Sequence, residues 1–400
     1  MKFHKCLAAG ICLTTVASAV AETRFLPLAQ ATVAGGATWY ESKRSGIKGL
    51  ASAEVTPVIE FSDRWVLLPT FRGSYTGNQT AMKVVDEGTL FQQEQKYGGE
   101  TKLLYRWTPQ FKTSCWLGDE TVFLKETTDE KWTKGLYDNR TFLFGGDMEL
   151  IRPSWRWPAL FRLGAEYSRV HYPNYTSLAS QTGDPLMGAR LFDTENTILS
   201  FKSLVSPTGR IQWQSTFMGL LASYPDQKVL GEQGDYTEGK RRDWYWTIGQ
   251  VLSFLHSIGS AEAAYSFGLE GIRRDSNQNY LDSLFLKHLP DYFDYDEGAF
   301  SPSVRLRLKP AAMVLEAGVR ISRRNYRRRP AQNADGSYAS KRMFVRDTTY
   351  SVGFSSALVD HVRAFVQGDL ETATSNMRYE GFYRYKYNTG SVRTGLTFEF

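Results

Sequence analysis

The stretch YNTGSVRTGLTFEF, residues 387–400, decides the fold of this chain. Phe400, Phe398, Leu396 and Val392 share one parity, whereas the residues of the other parity are polar or charged or are glycine. Because side chains alternate across a strand, this pattern predicts a strand with one apolar face and one polar face. A strand of a soluble protein and a strand that spans a membrane can both show this alternation, so the rest of the chain has to decide between these two classes.

The first 21 residues have the features of a cleaved secretory signal. Lys2 and Lys5 precede an apolar run that ends in AVA at positions 19–21, the small-residue pattern that signal peptidase accepts. A single membrane anchor is disfavoured because the run is shorter than the roughly 20 residues that a spanning helix needs. We therefore expect residues 1–21 to be removed and residues 22–400 to form the mature protein.

Composition restricts the class of protein further. Cys6 and Cys12 lie in the signal, so Cys115 alone remains, which excludes an intramolecular disulfide and a cysteine metal cage. Without Lys2 and Lys5 the formal net charge is about +4, which is too small to indicate a nucleic-acid partner. No later stretch has roughly 18 consecutive apolar residues, which excludes helical membrane spans.

Alternating apolar segments recur along the whole mature chain. SVRLRLKP (303–310) alternates apolar residues with cations, and AAMVLEAGVRIS (311–322) follows it with the same period after a tight turn. This arrangement predicts a β-hairpin. We predict about sixteen strands, at residues 29–40, 47–60, 64–77, 97–108, 111–125, 139–151, 160–172, 194–205, 210–223, 242–255, 260–273, 299–309, 312–325, 341–357, 362–375 and 384–400.

The connections between these strands alternate between short turns and mostly long, polar loops. Transmembrane barrels have short periplasmic turns, long outer loops, an even number of strands and strands of roughly ten residues. A closed sheet also pairs every backbone group without leaving an edge in hydrocarbon. We therefore predict an all-β fold, a transmembrane antiparallel up-and-down β-barrel of about 16 strands, within about 14 to 18, whose last strand pairs with its first.

The final hairpin, residues 371–400, resembles the last hairpin of Gram-negative outer-membrane β-barrel proteins, whose terminal strand characteristically ends in Phe. The resemblance implies export to the outer membrane, with its lipids and lipopolysaccharide as surroundings. It also implies that Leu396, Phe398 and Phe400 form the signal that the barrel-assembly machinery reads. The specific match is confined to this hairpin, and it indicates a class of protein without a substrate.

Aromatic residues near strand ends are the expected companions of a membrane barrel, because they form girdles at the two interfaces. Aromatic residues also favour strands in general, which is the alternative explanation. The girdle candidates are Trp39, Tyr40, Trp107, Trp116, Trp155, Trp157, Trp244, Trp246 and Tyr350.

The parity opposite the apolar face identifies candidate residues of the lumen, where basic and acidic residues nearly balance. The basic positions are Arg72, Lys102, Arg106, Arg162, Lys202, Arg305, Arg307, Lys309, Arg320, Arg363, Arg393, and the acidic ones are Glu54, Asp147, Glu149, Glu166, Glu262, Glu270, Glu316, Asp369, Glu371 and Glu399. A wide barrel needs such an interior whatever passes through it.

One group of inward positions forms a predicted cationic wall. Arg305, Arg307 and Lys309 are consecutive inward positions about 6.6 Å apart, and Arg320 lies on the adjacent strand. Rows of like charge attract ions of the opposite sign, so this wall favours anions, although Glu316 can neutralise part of it. The pore-lining candidates are Arg305, Arg307, Lys309, Arg320, Arg363, Arg393 and Glu316.

Two charged segments are predicted at the outer end. ISRRNYRRRP (321–330) carries five arginines that can meet lipopolysaccharide phosphates, since Arg clusters bind phosphate well. They are Arg323, Arg324, Arg327, Arg328 and Arg329. A solvated loop, or pairing with the acidic segment LPDYFDYDEG (289–298), explains them equally well. Calcium binding by the acidic segment is less favoured because its spacing matches no EF-hand, and we predict neither a metal nor a cofactor.

Three classes of function remain. A channel of porin type, passing small hydrophilic solutes with a preference for anions, is favoured over an export, assembly or adhesion component whose barrel is an anchor or conduit. An outer-membrane hydrolase is least favoured. His171 shares a strand with Ser168 and Glu166, but residues i and i+3 point to opposite faces. The chain has no Walker lysine loop and no HExxH motif.

Overall fold

A computed structural model describes residues 23–41, 44–80, 91–126, 130–175, 190–282, 287–309, 312–380 and 384–400. The predicted secretory signal lies outside these ranges and stays a prediction. The strands are β1 (Arg24–Leu26), β2 (Ala29–Tyr40), β3 (Arg44–Val55), β4 (Val58–Glu60), β5 (Trp65–Thr80), β6 (Phe91–Arg106), β7 (Phe111–Lys125), β8 (Asn139–Arg152), β9 (Ala159–His171), β10 (Thr194–Thr208), β11 (Ile211–Leu230), β12 (Tyr236–Ile258), β13 (Ala261–Ser276), β14 (Tyr280–Asp282), β15 (Lys287–Leu289), β16 (Tyr295–Leu308), β17 (Met313–Gln332), β18 (Tyr338–Val359), β19 (Val362–Ser375) and β20 (Tyr387–Glu399). No helix in these ranges is both long and apolar enough to span a membrane.

Eighteen of these strands form one antiparallel sheet, and β14 and β15 form a separate hairpin. The three-residue strands β1 and β4 pair with each other, and Pro57, which has no N–H to donate, separates β4 from β3. The other 16 strands form a closed antiparallel barrel. The prediction of an up-and-down barrel of about sixteen strands is therefore confirmed.

The barrel closes between β2 and β20, as the alternating stripe at the end of the sequence predicts. The ladder runs from Gln30 opposite Glu399 to Tyr40 opposite Thr389. Beyond it, the N–H of Phe400 donates to the carbonyl of Ala29 at 2.8 Å, and the N–H of Ala29 donates back at 2.9 Å. These bonds pair what would otherwise be the two free edges of the sheet.

The connections are short at one end of the barrel, which the sequence analysis assigns to the periplasm; we call the opposite end the outer end. Gly259, with a φ of 57°, forms the tight turn between β12 and β13. The long loop expected between the strands predicted at 210–223 and 242–255 is shorter than predicted, because β11 and β12 continue through most of it, with Leu230 opposite Tyr236. Beyond a membrane both faces of a hairpin are hydrated, so polar residues do not end a strand there.

Each barrel strand exposes at least one large hydrophobic side chain on its outward face. These residues are Val33, Ile47, Phe71, Tyr97, Leu117, Phe144, Leu163, Leu199, Phe217, Ile248, Leu269, Phe300, Leu315, Val352, Val366 and Leu396. Such a belt is unfavourable in water and favourable in lipid. The inward face instead carries small, polar and charged residues, such as the buried Thr38, Ser114 and Ser322.

The aromatic girdle prediction is wrong at two positions. Trp107, Trp244 and Tyr350 are exposed on the outward side, as expected. Tyr40 is buried and stacks on a neighbouring ring, and Trp116 has the inward parity of its strand. Proximity to a strand end therefore did not predict the face, which depends on parity.

Candidate functional site in the barrel lumen

The predicted cationic wall faces the lumen. Arg305 on β16 lies directly opposite Glu316 on β17, whereas their neighbours Val304 and Leu315 are exposed on the outward face. The Nε of Arg305 lies 2.9 Å from Oε1 of Glu316, and the two side chains are 64% and 54% exposed. Arg305 is thus neutralised by the carboxylate that the sequence analysis identified as its neighbour, in a solvated pair.

Two further cations of this wall are also paired. The Nζ of Lys309 lies 2.8 Å from Glu262, and the Nη2 of Arg320 lies 2.7 Å from Glu270. Arg307 lies opposite Glu262 in the ladder but makes no ion pair with any residue that the structure describes. The wall is therefore close to neutral, with Arg307 as its unpaired member.

The last two pore-lining candidates, Arg363 and Arg393, also have the inward parity of their strands. Arg393 donates from Nε and Nη2 to the Oε1 of Gln367 at 3.1 Å and 2.6 Å. Arg363 lies opposite Thr397 and has no ion pair within the described ranges. Neither arginine is neutralised by a carboxylate that the structure describes.

A second set of cations lies on the strands from β5 to β10, and most of its members share carboxylates. Arg72 on β5 and Lys96 on β6 pair with Glu120 on β7, at 3.0 Å and 2.8 Å. Because β5 and β7 are two strands apart, roughly 10 Å, the Arg72 side chain has to cross β6. It does so at Gly98, which lies between Arg72 and Glu120 in the two ladders and has no side chain to obstruct it.

Asp147 on β8 is also shared by two cations. It accepts from Lys102 at 3.3 Å, from the Nε of Arg162 at 2.9 Å and from the hydroxyl of Ser114 at 2.7 Å. Lys202 lies opposite Arg162 on the next strand and adds a cation without an ion pair in the described part of the chain. We name Arg72, Lys96, Lys102, Arg162 and Lys202 the β5–β10 wall.

The sequence analysis placed four members of the β5–β10 wall in the lumen by parity and missed Lys96. Lys96 lies on the inward face between the outward Gln95 and Tyr97, one residue before the start of the strand predicted at 97–108. Extending the predicted strand by one residue at its start would have included Lys96. The sharing of carboxylates could not be found from parity alone.

A cavity of about 580 Å³ lies along the inner face of β11 to β19. Its lining includes the hydroxyl groups of Ser253, Ser266 and Ser303 as well as the Arg305–Glu316 pair. The hydroxyls of Ser253 and Ser266 lie 2.9 Å apart. The lumen therefore offers neutral hydrogen-bonding groups next to charged ones, which suits hydrophilic solutes.

A buried charge cluster lies at the outer mouth of the lumen. Asp243 on β12 accepts from Arg241 at 2.7 Å, from Arg274 on β13 at 2.6 Å and from the hydroxyl of Ser276 at 2.5 Å. Phe293, from the connection between β13 and β16, lies 5.1 Å and 5.6 Å from the two guanidinium groups. This connection therefore packs against inward-facing side chains at the mouth.

The arginine-rich segment at 321–330 is mostly engaged within the chain. The ion pairs are Arg324–Glu297 (2.8 Å), Arg327–Asp294 (3.0 Å) and Arg328–Asp291 (3.8 Å). Arg329 lies 4.5 Å from the ring of Tyr292 and donates to the hydroxyl of Tyr385 at 2.8 Å. The three ion pairs agree with one of the alternatives left open by the sequence, in which the arginines pair with the acidic segment 289–298. Arg323 differs, because it is exposed on the outward face.

The connection between β13 and β16 is desolvated by this packing. Burial raises the pKa of Asp294, although the N–H of Ser276 and the guanidinium of Arg327 favour its charged form. Burial also raises the pKa of Tyr292 to about 12. Within the described ranges, no three His, Cys, Asp or Glu residues are grouped to hold a metal ion.

The predicted assembly signal lies on the outward face of β20 and just beyond it. Leu396 and Phe400 are exposed, and Phe398 shares their parity. The ring of Phe400 stacks on His361, in the turn between β18 and β19, at 5.9 Å. The stripe is therefore available to lipid or to a protein partner.

The three residues considered for catalysis do not form a triad. His171 Nδ1 lies 2.7 Å from Asp193, while Ser168 is buried at the opposite parity of the same strand. Glu166 instead accepts from the indole of Trp116 at 3.0 Å. Nucleophile and base are thus on different faces of β9.

No protein-family model and no curated protein sequence matches the chain. Among solved structures, it is similar to OmpT, an outer membrane protein of Vibrio cholerae in trimer form, with a TM-score of 0.50 and 11% identity over 95% of this chain and 100% of that one. CdiB from Acinetobacter baumannii is similar with a TM-score of 0.50 and 7% identity, over 95% of this chain and 65% of that one. Such identities show the fold alone, and that fold is an outer-membrane β-barrel.

Proposed function

We propose that this chain is an outer-membrane channel of porin type that passes small hydrophilic solutes and favours anions. The observation that carries the proposal is the closed barrel of 16 strands with an apolar outward face and a polar, charged inward face. Barrels of this size enclose an aqueous lumen. The hydroxyl-lined cavity beside the charged walls supports the same reading.

The preference for anions is supported by a difference in exposure. The side chains of Arg72 and Lys96 are 40% and 38% exposed, against 15% for the Glu120 that they share. Arg162 is 41% exposed, against 6% for Asp147. A solute in the lumen therefore meets the cations before the carboxylates, and exposed positive charge attracts anions. Glu94 and Glu100, which have the inward parity of β6 and make no ion pair with any residue that the structure describes, act against this effect.

Reversal potentials across a planar bilayer under a KCl gradient test the preference. The informative variant is Lys96→Gln/Lys102→Gln, which removes one cation from each shared carboxylate and leaves Arg72–Glu120 and Arg162–Asp147 as simple pairs. We expect the wild type to be anion-selective and the variant to move toward cation selectivity, most strongly at low salt, where screening is weak.

The matched control is Arg323→Gln/Arg346→Gln, which removes the same charge from the outward face, where both arginines are exposed. It should leave the reversal potential unchanged. Heat-modifiable mobility on gels verifies that each variant is folded. Equal reversal potentials for the wild type and the lumen variant would remove the anion preference, and absence of conductance from a folded barrel would remove the channel.

The alternative function is an export, assembly or adhesion component whose barrel is a conduit or an anchor. The connection that packs into the outer mouth, where Phe293 lies against Arg241 and Arg274, favours it. A folded barrel without conductance would support this alternative. We also propose that the outward stripe of β20 is the signal for the barrel-assembly machinery.

A further inference from the structure

Two arginines face outward where the apolar belt ends at the outer end. Arg323 on β17 and Arg346 on β18 lie directly opposite each other in the ladder, and both are exposed. The next outward positions toward the membrane are Ile321 and Thr348, followed on β18 by the exposed Tyr350. The pair is therefore placed at the level of lipid head groups.

This pair brings like charges together without a counter-charge. Like charges directly opposite in an antiparallel ladder destabilise it. On the neighbouring strands, Gly298 lies opposite Arg323 and Thr374 lies opposite Arg346, and neither residue is acidic. Arg323 and Arg346 make no ion pair with any residue in the described ranges. The outward carboxylate of Asp296 lies one outward position further along β16. An external anion would relieve the repulsion.

A strip without side chains lies next to Arg323. Gly298 is opposite Arg323, and Gly271 is opposite Gly298 on β13. A Cβ added at either glycine would meet no atom within 4 Å, so the strip is open. Leu269 and Phe300, both exposed, border it on the membrane side. The strip lies at the level of the arginines and can hold a sugar without displacing any protein group.

We propose that Arg323 and Arg346 bind a phosphate group of a phosphorylated glycolipid in the outer leaflet, whose sugar lies along the glycine strip. Two guanidinium groups bind phosphate through charge-assisted, paired hydrogen bonds. The ring of Phe344 lies 4.6 Å from the guanidinium of Arg323 and holds it in place. The site lies outside the lumen, so it stands independently of the channel function.

This site differs from the one expected from the sequence. Arg324, Arg327 and Arg328 are occupied by carboxylates of the chain, and Arg323 alone of the five arginines contributes. Its partner Arg346 lies on the next strand and was not predicted. The two arginines come together only through the register of β17 and β18.

Binding of diphosphoryl lipid A to the refolded barrel in detergent micelles, measured by native mass spectrometry, tests the proposal. We expect Arg323→Gln/Arg346→Gln to weaken binding by at least about tenfold, because two charge-assisted hydrogen-bond partners are lost. The matched control is Arg140→Gln, since Arg140 is also outward and near the outer end but is paired with Asp119 at 2.8 Å. It should bind as the wild type does.

Two further lipids test whether the site requires the phosphate group and whether it requires the sugars of the glycolipid. Lipid A without phosphates should bind more weakly to the wild type and equally to wild type and double variant. Phosphatidylglycerol should bind more weakly than diphosphoryl lipid A, because it lacks the sugars. Equal affinity of wild type and double variant for diphosphoryl lipid A would overturn the site, and equal affinity of the wild type for both phosphorylated lipids would overturn the glycolipid assignment.

Discussion

Replacing Asp243 with Asn tests whether the outer mouth depends on its buried charge cluster. The Asp243 side chain is 0% exposed, and those of Arg241 and Arg274 are 12% and 16% exposed. Asn has nearly the same shape as Asp but no charge. The substitution therefore leaves two desolvated guanidinium groups that face each other without a carboxylate between them.

The cost is large because the remaining charges stay buried. Removing one partner of a buried ion pair typically costs about 3–5 kcal/mol. The rings of Tyr224 and Tyr245 lie 4.3 Å and 5.2 Å from the guanidinium groups of Arg241 and Arg274. They stabilise these cations equally in the wild type and in Asp243→Asn, so they do not offset the loss. Glu316→Gln is the control, because the solvated Arg305–Glu316 pair contributes only about 0–1 kcal/mol.

Urea unfolding in lipid vesicles, followed by tryptophan fluorescence, measures the free energy of unfolding. Limited proteolysis of the connection between β13 and β16 reports separately on the mouth. We expect Asp243→Asn to lower stability by about 3 kcal/mol more than Glu316→Gln and to speed cleavage of this connection. The reasoning is refuted if the two variants unfold alike and their connections are cleaved at the same rate.

Two further predictions concern topology and assembly. Cysteines placed at Glu232 and Ala334, both exposed at the outer end, should react in intact cells with a membrane-impermeant reagent in a Cys115→Ala background; reaction only after lysis would reverse the topology. Deleting Phe400 removes two backbone bonds to Ala29 that extend the closing ladder, and should reduce folded barrel in the outer membrane on heat-modifiability gels; wild-type levels would contradict the assembly role.

The barrel could be predicted because each hairpin carries its own information. Alternation defines the two faces of a strand, and a one-residue slip of β16 would turn Arg305 and Arg307 toward lipid, at roughly 2–4 kcal/mol per charge near the midplane. The bond from the N–H of Ala312 to the carbonyl of Lys309, at 3.3 Å, is consistent with a register that places Glu316 beside Arg305. The Arg305–Glu316 pair followed from local sequence for that reason, whereas the pairs that Lys309 and Arg320 make with carboxylates of β13 did not.

The outer ends of the strands could not be predicted in the same way. Where water covers both faces, the apolar period disappears although the ladder continues, as between β11 and β12 at Lys228 and Lys240. The segment with Arg327 and Arg329 was therefore assigned to a loop, whereas it is part of β17. Its contacts with Asp294 and Tyr292 follow from the path of another connection, which no period in the sequence describes.

The β5–β10 wall shows why a charge count is a poor guide to a lumen. Arg72 reaches Glu120 only because Gly98 lies between them, and this requires the registers of β5 on β6 and of β6 on β7 to be known together. In the sequence, Gly98 is one glycine among 34 and has no visible connection to either charge. A bulky residue at this position would obstruct the Arg72 side chain, so that Glu120 would retain only Lys96. Selectivity in this lumen therefore depends on glycine positions as well as on charged residues.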